Sequence, residues 1–180
     1  MNLVIKKVDA TNLQQAIDLQ KTLFPHDNGA NDLRRAVNQE LDDWRNIWEY
    51  YIGYIDETPV GITGIYDYKE YPSDAWLGWF GVLSKYRRKG IGQQLFNTIK
   101  QKAKELGYDN FRLYTNNYDN ADAINLYTKQ NMTQEKYDNP DDKNFLDAGR
   151  TFVFSISLDG TDVQKWNNKK LYLSEHAKNN

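Results

Sequence analysis

A short basic loop is the part of the sequence whose residue types and spacing are best suited to chemistry. An amphipathic helical pattern begins within it, and its residues are Arg87, Arg88, Lys89, Gly90, Ile91 and Gly92. The first turn of a helix has backbone N–H groups without intrahelical partners and a partial positive charge, so it attracts anions. Gly90 and Gly92 carry no side chain that would keep an anion from the backbone. The loop is therefore predicted to bind a phosphate group.

Two common phosphate-binding motifs do not account for this loop. The P-loop string Gly-x4-Gly-Lys-Ser/Thr does not occur in the chain. The dinucleotide motif Gly-x-Gly-x-x-Gly requires a third glycine three residues after Gly92, where Leu95 stands. The alternative interpretation is that Gly90 only makes a turn and that the basic side chains form a solvated surface.

Composition excludes several other kinds of site. The 180-residue chain has no Cys and only two His, which excludes disulfides, thiolate metal sites and a cysteine nucleophile and argues against a multi-histidine metal site. The net charge of -2 gives no reason to expect nucleic acid as a partner. No run approaches the roughly 18 apolar residues of a membrane helix, and the N-terminus does not have the order of a signal peptide. We expect a cytoplasmic protein that binds neither nucleic acid nor membrane.

The elements that must position the loop follow from residue preference and periodicity. Segments rich in β-branched and aromatic residues predict strands at 3–8, 47–55, 60–68, 75–83, 111–115, 132–137 and 151–158. Apolar residues spaced by three and four predict helices at 13–23, 33–44, 91–106 and 120–130. Since no repeat or linker interrupts this pattern, one α/β domain with a sheet layered with helices is the simplest architecture.

Two segments of the chain resemble the GNAT superfamily of N-acetyltransferases. Arg87, Gly90 and Gly92 occupy the three places of the family's Arg/Gln-x-x-Gly-x-Gly/Ala motif, and residues 120–132 resemble a second segment of the family. The order of predicted elements in residues 3–158 also matches. The resemblance implies a central, mostly antiparallel sheet with helices on both faces. Residues 1–158 would form this domain, and residues 159–180 a C-terminal extension of uncertain structure.

The resemblance implies that the phosphate is the pyrophosphate of acetyl-CoA, the cosubstrate. In the family, backbone groups at the end of the preceding strand hold the acetyl and pantetheine portions, and the matching residues are Val82, Leu83 and Ser84. The pyrophosphate would lie on the amides of residues 87–92 and of Gln93. Asn120 matches a position whose side chain commonly binds the pantetheine arm. A plain helix N-cap is the alternative role for Asn120.

Tyr127 matches the tyrosine that often protonates the leaving thiolate in the family. A phenol suits this role because it stays protonated at neutral pH, with a reference pKa of about 10, and can donate to sulfur as charge develops. The alternative is a core tyrosine, because Ala123, Ile124 and Tyr127 share a helical face. The resemblance further implies direct attack of a neutral amine on the thioester without a covalent enzyme intermediate, with the Val82 N–H polarising the carbonyl.

The general base and the acceptor pocket are less determined. Residues 75–81 contain no carboxylate, and the nearby candidates for proton transfer are Tyr66, Asp67, Tyr68, Glu70 and Asp74. No base is assigned, and none is needed if the amine arrives deprotonated. In the family the acceptor lies across the sheet from the cofactor, which makes lining candidates of Phe24, His26, Asp27, Trp44, Trp79, Asp141 and Asp142. Acidic groups and aromatic faces would suit a cationic amine.

The expected function is therefore transfer of the acetyl group from acetyl-CoA to a primary amine, in a small molecule or a peptide. The alternative is a CoA-binding sensor or interaction module with little turnover, since function resides in the site and not in the fold. Tyr127 favours the enzyme, and the strand without a carboxylate leaves room for the sensor. Exposed sheet edges and the family's habits are compatible with a homodimer.

Overall fold

The computed structural model of the protein describes residues 2–117, 120–142 and 150–176. Residues 177–180 of the expected C-terminal extension lie outside these ranges. The chain divides into two compact units, an N-terminal unit that ends at Tyr108 and a C-terminal unit that begins at Asp109.

The N-terminal unit is built on an antiparallel sheet in the order β1-β2-β3-β4. Its strands are Leu3–Lys7 (β1), Trp48–Ile55 (β2), Thr58–Asp67 (β3) and Asp74–Val82 (β4). Tyr51 lies opposite Lys7 on one side and Thr63 on the other. Because successive side chains in a strand point to opposite faces, this register decides which residues each helix can reach.

Three helices cover the two faces of this sheet. They are Leu13–Leu23 (α1), Gly29–Val37 (α2) and Ile91–Glu105 (α3). α1 and α2 bury their apolar sides against the side chains of Trp48, Tyr50, Ile52, Tyr54 and Ile62. α3 packs on the other face, where Leu95 meets Val60 and Val82. Helices on both faces of an antiparallel sheet were expected, and this part of the prediction is confirmed.

The second helix is shorter than its apolar spacing predicts. α2 ends at Val37, and residues 38–47 are not helical. Gln39 has a φ of 58°, in the left-handed region that ends a helix. Beyond it, Trp44 and Arg45 pack into the protein through tertiary contacts, with the Arg45 guanidinium 3.8 Å from the centre of the Trp44 ring. The apolar spacing of residues 38–44 therefore reflects burial of a folded loop and not a helical face.

The C-terminal unit pairs its strands antiparallel in the order β5-β7-β6. Its elements are Asn110–Asn116 (β5), Ala121–Lys129 (α4), Thr133–Lys136 (β6), Thr151–Ser157 (β7) and Leu173–His176 (α5). The turn after α4 places Asn131 at a φ of 58°, a conformation that asparagine tolerates better than most residues. All predicted strands are present, with ends that differ from the prediction by two residues or fewer.

The segment after β7 packs against the C-terminal unit through one tryptophan. Trp166 is fully buried. Its backbone N–H donates to a carboxylate oxygen of Glu135 at 2.7 Å, and its indole N–H donates to the carbonyl of Lys169 at 2.9 Å. Further along, the Leu171 N–H donates to the Tyr137 hydroxyl at 2.8 Å. The segment is thus held by both apolar burial and hydrogen bonds.

Trp166→Ala is expected to lower the free energy of unfolding by about 3 to 5 kcal/mol, because it removes a fully buried aromatic side chain and leaves a cavity. Urea unfolding followed by circular dichroism would measure the change. Lys165→Ala, at the exposed neighbouring position, is the control and should change the value by less than about 0.5 kcal/mol. A loss below about 1 kcal/mol for Trp166→Ala would contradict the packing described here.

Candidate active site

A β-bulge in β4 determines the geometry of the strand end that leads into the loop. Ile62 pairs with Gly81 and Gly64 pairs with Gly78, so Trp79 and Phe80 together lie opposite Thr63. Such a bulge bends the strand and changes the direction of the side chains that follow. Trp79 packs with the core of the α1/α2 face, and Phe80 packs with the core beside α3.

Past the bulge, the peptide groups of Val82 point away from β3. The Leu83 N–H donates to the Val60 carbonyl at 2.9 Å. In an antiparallel pair the hydrogen-bonded and non-hydrogen-bonded positions alternate. The N–H and carbonyl of Val82, one position before Leu83, are therefore directed away from β3. The Val82 carbonyl accepts a hydrogen bond of 2.9 Å from Arg87 Nε. This bond ties the basic loop back to the end of β4.

A 3-10 turn and two left-handed residues connect β4 to α3. Residues Ser84–Tyr86 form the turn, and the Arg87 N–H donates to the Ser84 carbonyl at 3.2 Å. Arg88 and Gly90 have φ angles of 59° and 78°. A side chain at Gly90 would meet no atom within 4 Å, so its left-handed conformation, and not lack of space, is what favours glycine there. These turns bring the chain round into the first turn of α3.

The first turn of α3 presents backbone donors beside a basic surface. Gly90 precedes the helix and provides no side-chain cap, and the first ladder bond runs from the Gln94 N–H to the Gly90 carbonyl at 3.1 Å. The amides of Ile91 and Gly92 come before that bond, so they have no acceptor within the helix. Arg88 and Lys89 are exposed at the same place. The first turn of α3 thus has a conformation and a charge that favour an anion, and phosphate binding there stays a prediction.

In the C-terminal unit, Asn120 stands immediately before α4. Its backbone carbonyl accepts the Ile124 N–H at 3.0 Å, but its side chain does not cap the helix. Instead, its side-chain amide donates to Thr115 Oγ1 at 3.2 Å and to Asn116 Oδ1 at 2.9 Å. The plain side-chain cap, one of the two roles considered for this residue, is not what the structure shows.

Tyr127 is a buried tyrosine on the α4 face that packs against β7. Its ring centre lies 5.4 Å from that of Phe154, and 4% of the residue is exposed. Burial raises the pKa of the Tyr127 phenol above its usual value, because the charged phenolate would be poorly solvated. At neutral pH this hydroxyl therefore carries its proton. It can act only as an acid toward a developing anion.

Two acidic residues considered from the sequence have structural roles. Asp67, a candidate base, is buried and accepts hydrogen bonds from the Asn46 and Ile47 backbone N–H groups, the Asn46 side chain and the Tyr108 hydroxyl. Asp142, a candidate for the acceptor pocket, is buried and accepts bonds from the Tyr137 hydroxyl and the Leu171 N–H. Each carboxylate thus accepts hydrogen bonds from the backbone of a loop and holds that loop in place. By contrast, the other candidates His26, Asp27 and Asp141 are exposed.

One acidic residue that sequence reasoning did not single out contacts the indole of Trp79. Asp32, on α2, accepts a hydrogen bond from the indole N–H of Trp79. Burial raises the pKa of the Asp32 carboxyl, and the Trp79 bond and the charges of Arg45 and Arg35 offset part of that rise. The sequence offered no distinguishing signal, because an Asp in the first turns of a helix is ordinary there.

The Trp79 ring belongs to a larger set of aromatic side chains on the α1/α2 face. Phe24 and Trp79 have ring centres 4.9 Å apart. The Arg45 guanidinium lies between two indoles, 3.8 Å from the Trp44 ring and 3.7 Å from the Trp48 ring. Three residues expected to line an acceptor pocket, Phe24, Trp44 and Trp79, thus belong to the same face of the N-terminal unit.

Within the described ranges, no group of three or more His, Cys, Asp or Glu side chains is arranged to hold a metal ion. The helices described in the structure are all too short or too polar to cross a membrane.

Comparison with known proteins identifies the fold. The model of the acetyltransferase (GNAT) family matches residues 13–132. The ribosomal-protein-S18-alanine N-acetyltransferase of Escherichia coli superposes with a TM-score of 0.64 at 14% identity, over 89% of this chain and 97% of that one. The PaiA N-acetyltransferase of Thermoplasma acidophilum, solved with coenzyme A, gives 0.64 at 18% identity, over 87% and 99%.

A third similar structure is NAA60 of Arabidopsis thaliana in complex with a bisubstrate analogue, with a TM-score of 0.68 at 14% identity, over 89% of this chain and 100% of that one. At these identities the structural likeness shows a shared fold and not a shared substrate. No curated relative matches the chain in sequence.

The Tyr127 phenol is expected to stay protonated beyond pH 10. Its pKa is raised above the reference value of about 10 by burial, so the neutral form persists as the pH rises past that value. A pH titration of the tyrosine ¹³Cζ resonances, with Tyr127 assigned from its absence in Tyr127→Phe, would test this. A Tyr127 resonance that titrates at or below pH 10 would contradict the burial described.

Proposed function

Because the chain belongs to the GNAT acetyltransferase family, we propose that it is an N-acetyltransferase that moves the acetyl group of acetyl-CoA to a primary amine. The observation that carries this proposal is the start of α3. There, a left-handed Gly90 and two helix amides outside the ladder adjoin an exposed basic loop. This arrangement suits a diphosphate, and a similar structure of the same fold was solved with coenzyme A.

In this proposal, acetyl-CoA binds with its pyrophosphate at the first turn of α3. The amides of Ile91, Gly92 and Gln93 would donate to the phosphate oxygens, and the side chains of Arg88 and Lys89 would supply positive charge. Arg87 contributes differently, since its Nε bond to the Val82 carbonyl holds the loop against β4. Hydrogen bonds between charged partners and backbone N–H groups are stronger than neutral ones.

The acetyl and pantetheine portions are assigned to the end of β4, at Val82, Leu83 and Ser84. The Leu83 N–H is occupied by the Val60 carbonyl, whereas the Val82 N–H is directed away from β3. We therefore assign to the Val82 N–H the hydrogen bond that polarises the thioester carbonyl. A positioned backbone donor of this kind stabilises the negative charge that develops on oxygen during attack.

Two residues of the C-terminal unit complete the proposal. Asn120 would bind the pantetheine arm through its side chain, which is not used to cap α4. Tyr127 would give its proton to the sulfur as the C–S bond breaks. Its buried phenol is protonated at neutral pH, which is the state that a general acid needs. The amine attacks the thioester directly, and no enzyme side chain is acetylated.

The function is tested by measuring free CoA release from acetyl-CoA across a panel of alkylamines, polyamines and peptides with free N-termini. Amine-dependent release with formation of the acetylated amine is the expected result. Tight acetyl-CoA binding in calorimetry without release for any amine would indicate the alternative, a CoA-binding sensor. Absence of both binding and release would contradict the cofactor assignment itself.

Gly92→Asp is expected to weaken acetyl-CoA binding by about tenfold or more, which corresponds to roughly 1.4 kcal/mol or more. The new carboxylate would stand in the first turn of α3, beside the proposed pyrophosphate. A carboxylate at this end of a helix does not by itself destabilise the helix, so lost affinity would report the site. Isothermal titration calorimetry measures the change.

Gln101→Glu is the matched control for Gly92→Asp, because it changes the charge by the same amount at an exposed position further along α3. Its acetyl-CoA affinity should remain within about twofold of that of the wild type. Unchanged affinity in Gly92→Asp would show that the phosphate site lies elsewhere.

Tyr127→Phe is expected to lower kcat by about 10²-fold or more while acetyl-CoA affinity stays nearly constant, because only the proton donor is removed. Steady-state kinetics and calorimetry separate the two quantities. Phenylalanine retains the ring that packs on Phe154, so the melting temperature provides the structural control. A wild-type kcat in this variant would remove Tyr127 from the mechanism.

A further inference from the structure

Asp32, the one acidic residue of α2, differs in its surroundings from the acidic residues of the following loop. The Trp79 indole N–H donates to its carboxylate, and the bulge in β4 places Trp79 against the core of the α1/α2 face. The Trp79 ring in turn packs against Phe24. A carboxylate held by an indole N–H on a face rich in aromatic rings has the chemistry of a receptor for an organic cation.

The arginines near Asp32 are engaged by a different carboxylate. Asp42 contacts Arg35 at 2.6 Å and Arg45 at 2.9 Å. Among the residues that the structure describes, no Lys, Arg or His nitrogen lies within the 4.0 Å of an ion pair with Asp32. The charges of Arg45 and Arg35 still act on Asp32, but burial outweighs them, since the pKa of the Asp32 carboxyl is raised. Because a partly buried carboxylate is costly when its charge is incompletely balanced, Asp32 is suited to receive a further cation from outside the chain.

We propose that Asp32 binds the ammonium group of the acceptor amine beside the rings of Phe24 and Trp79 and takes the proton that the amine must lose before attack. This assignment rests on the proposed acetyl transfer and adds the substrate class, an amine that arrives as its ammonium ion. It also supplies a base, which residues 75–81 do not, since they contain no carboxylate.

The surroundings of Asp32 fit both parts of this role. Aromatic faces attract an ammonium ion through their quadrupoles, most strongly when the ion is partly desolvated. Burial raises the pKa of the Asp32 carboxyl, which makes it a better proton acceptor than an exposed aspartate. The Trp79 N–H bond holds one carboxylate oxygen in place and so directs the group.

The proton balance of the transfer closes with the residues already assigned. The ammonium gives one proton to Asp32, and the nitrogen lone pair forms a bond to the carbonyl carbon of the thioester. The C–S bond breaks with its electron pair on sulfur, and Tyr127 protonates that sulfur. The second proton lost by the nitrogen restores Tyr127 through solvent. Asp32 then returns its proton to water, so the products are the amide, free CoA and one proton.

Asp32→Asn tests the assignment, with Asp43→Asn as its matched control. Both variants exchange a carboxylate for an amide, but Asp43 is exposed in the loop after α2. The substrate is the most active primary alkylamine of the panel, assayed with wild-type protein in parallel. For Asp32→Asn we expect kcat/KM toward the amine to fall by about 10²-fold or more, the scale of lost general-base catalysis. Acetyl-CoA affinity should stay within about twofold.

A fall in kcat/KM of less than about tenfold in Asp32→Asn, or an equal fall in Asp43→Asn, would overturn the assignment. Failure of the proposed function would give a distinct result, because the wild-type protein itself would then release no CoA with any amine of the panel. If Asp32→Asn does not fold, Trp79→Phe decides, because it keeps an aromatic ring and removes the N–H that orients Asp32. Its amine KM should rise by about fivefold or more at unchanged acetyl-CoA affinity, and an unchanged KM would overturn the assignment.

Discussion

The β-bulge in β4 is the constraint on which both faces of the N-terminal unit depend. Two residues, Trp79 and Phe80, lie opposite Thr63, so the side chains after the bulge are displaced by one position relative to β3. A shift of one residue moves every side chain of a strand to the opposite face of the sheet. Without the bulge, all residues of β4 on one side of Trp79 and Phe80 would therefore point to the opposite face. With the bulge, Trp79 reaches Phe24, while Phe80 and Val82 join the core beside α3.

Small residues around the bulge let this arrangement pack. A side chain at Gly61 would collide with Leu95 of α3, and one at Gly81 would press on Phe24. The sheet is therefore thin where the strand bends, with α3 close on one face and Phe24 close on the other. The two faces then differ in chemistry. One presents backbone donors and basic side chains at the start of α3, and the other presents aromatic rings and the carboxylate of Asp32.

Much of the fold followed from local patterns, and the misjudged parts share one cause. The strands and the helix at 91–105 have strong apolar patterns, and their positions were predicted to within two residues. The length of α2 was misjudged because Trp44 is buried by tertiary contacts and not by a helical face. Asp67 and Asp142 resembled free acidic residues in the sequence, whereas the hydrogen bonds that occupy them come from residues up to 41 positions away.

The family was recognisable from the sequence alone, and so were the loop proposed to bind phosphate and the tyrosine proposed as acid. All three depend on short spacings: glycines two apart, a basic run and one helical segment. Only the tertiary structure decided which carboxylates are structural and which one faces the aromatic rings. Asp32 and Trp79 are 47 positions apart, and no local pattern links them. The strand register and the bulge bring them together, and a register is set by pairing across the whole sheet. For this reason the loop proposed to bind phosphate could be predicted from its residues, whereas the carboxylate that completes the proposed site could not.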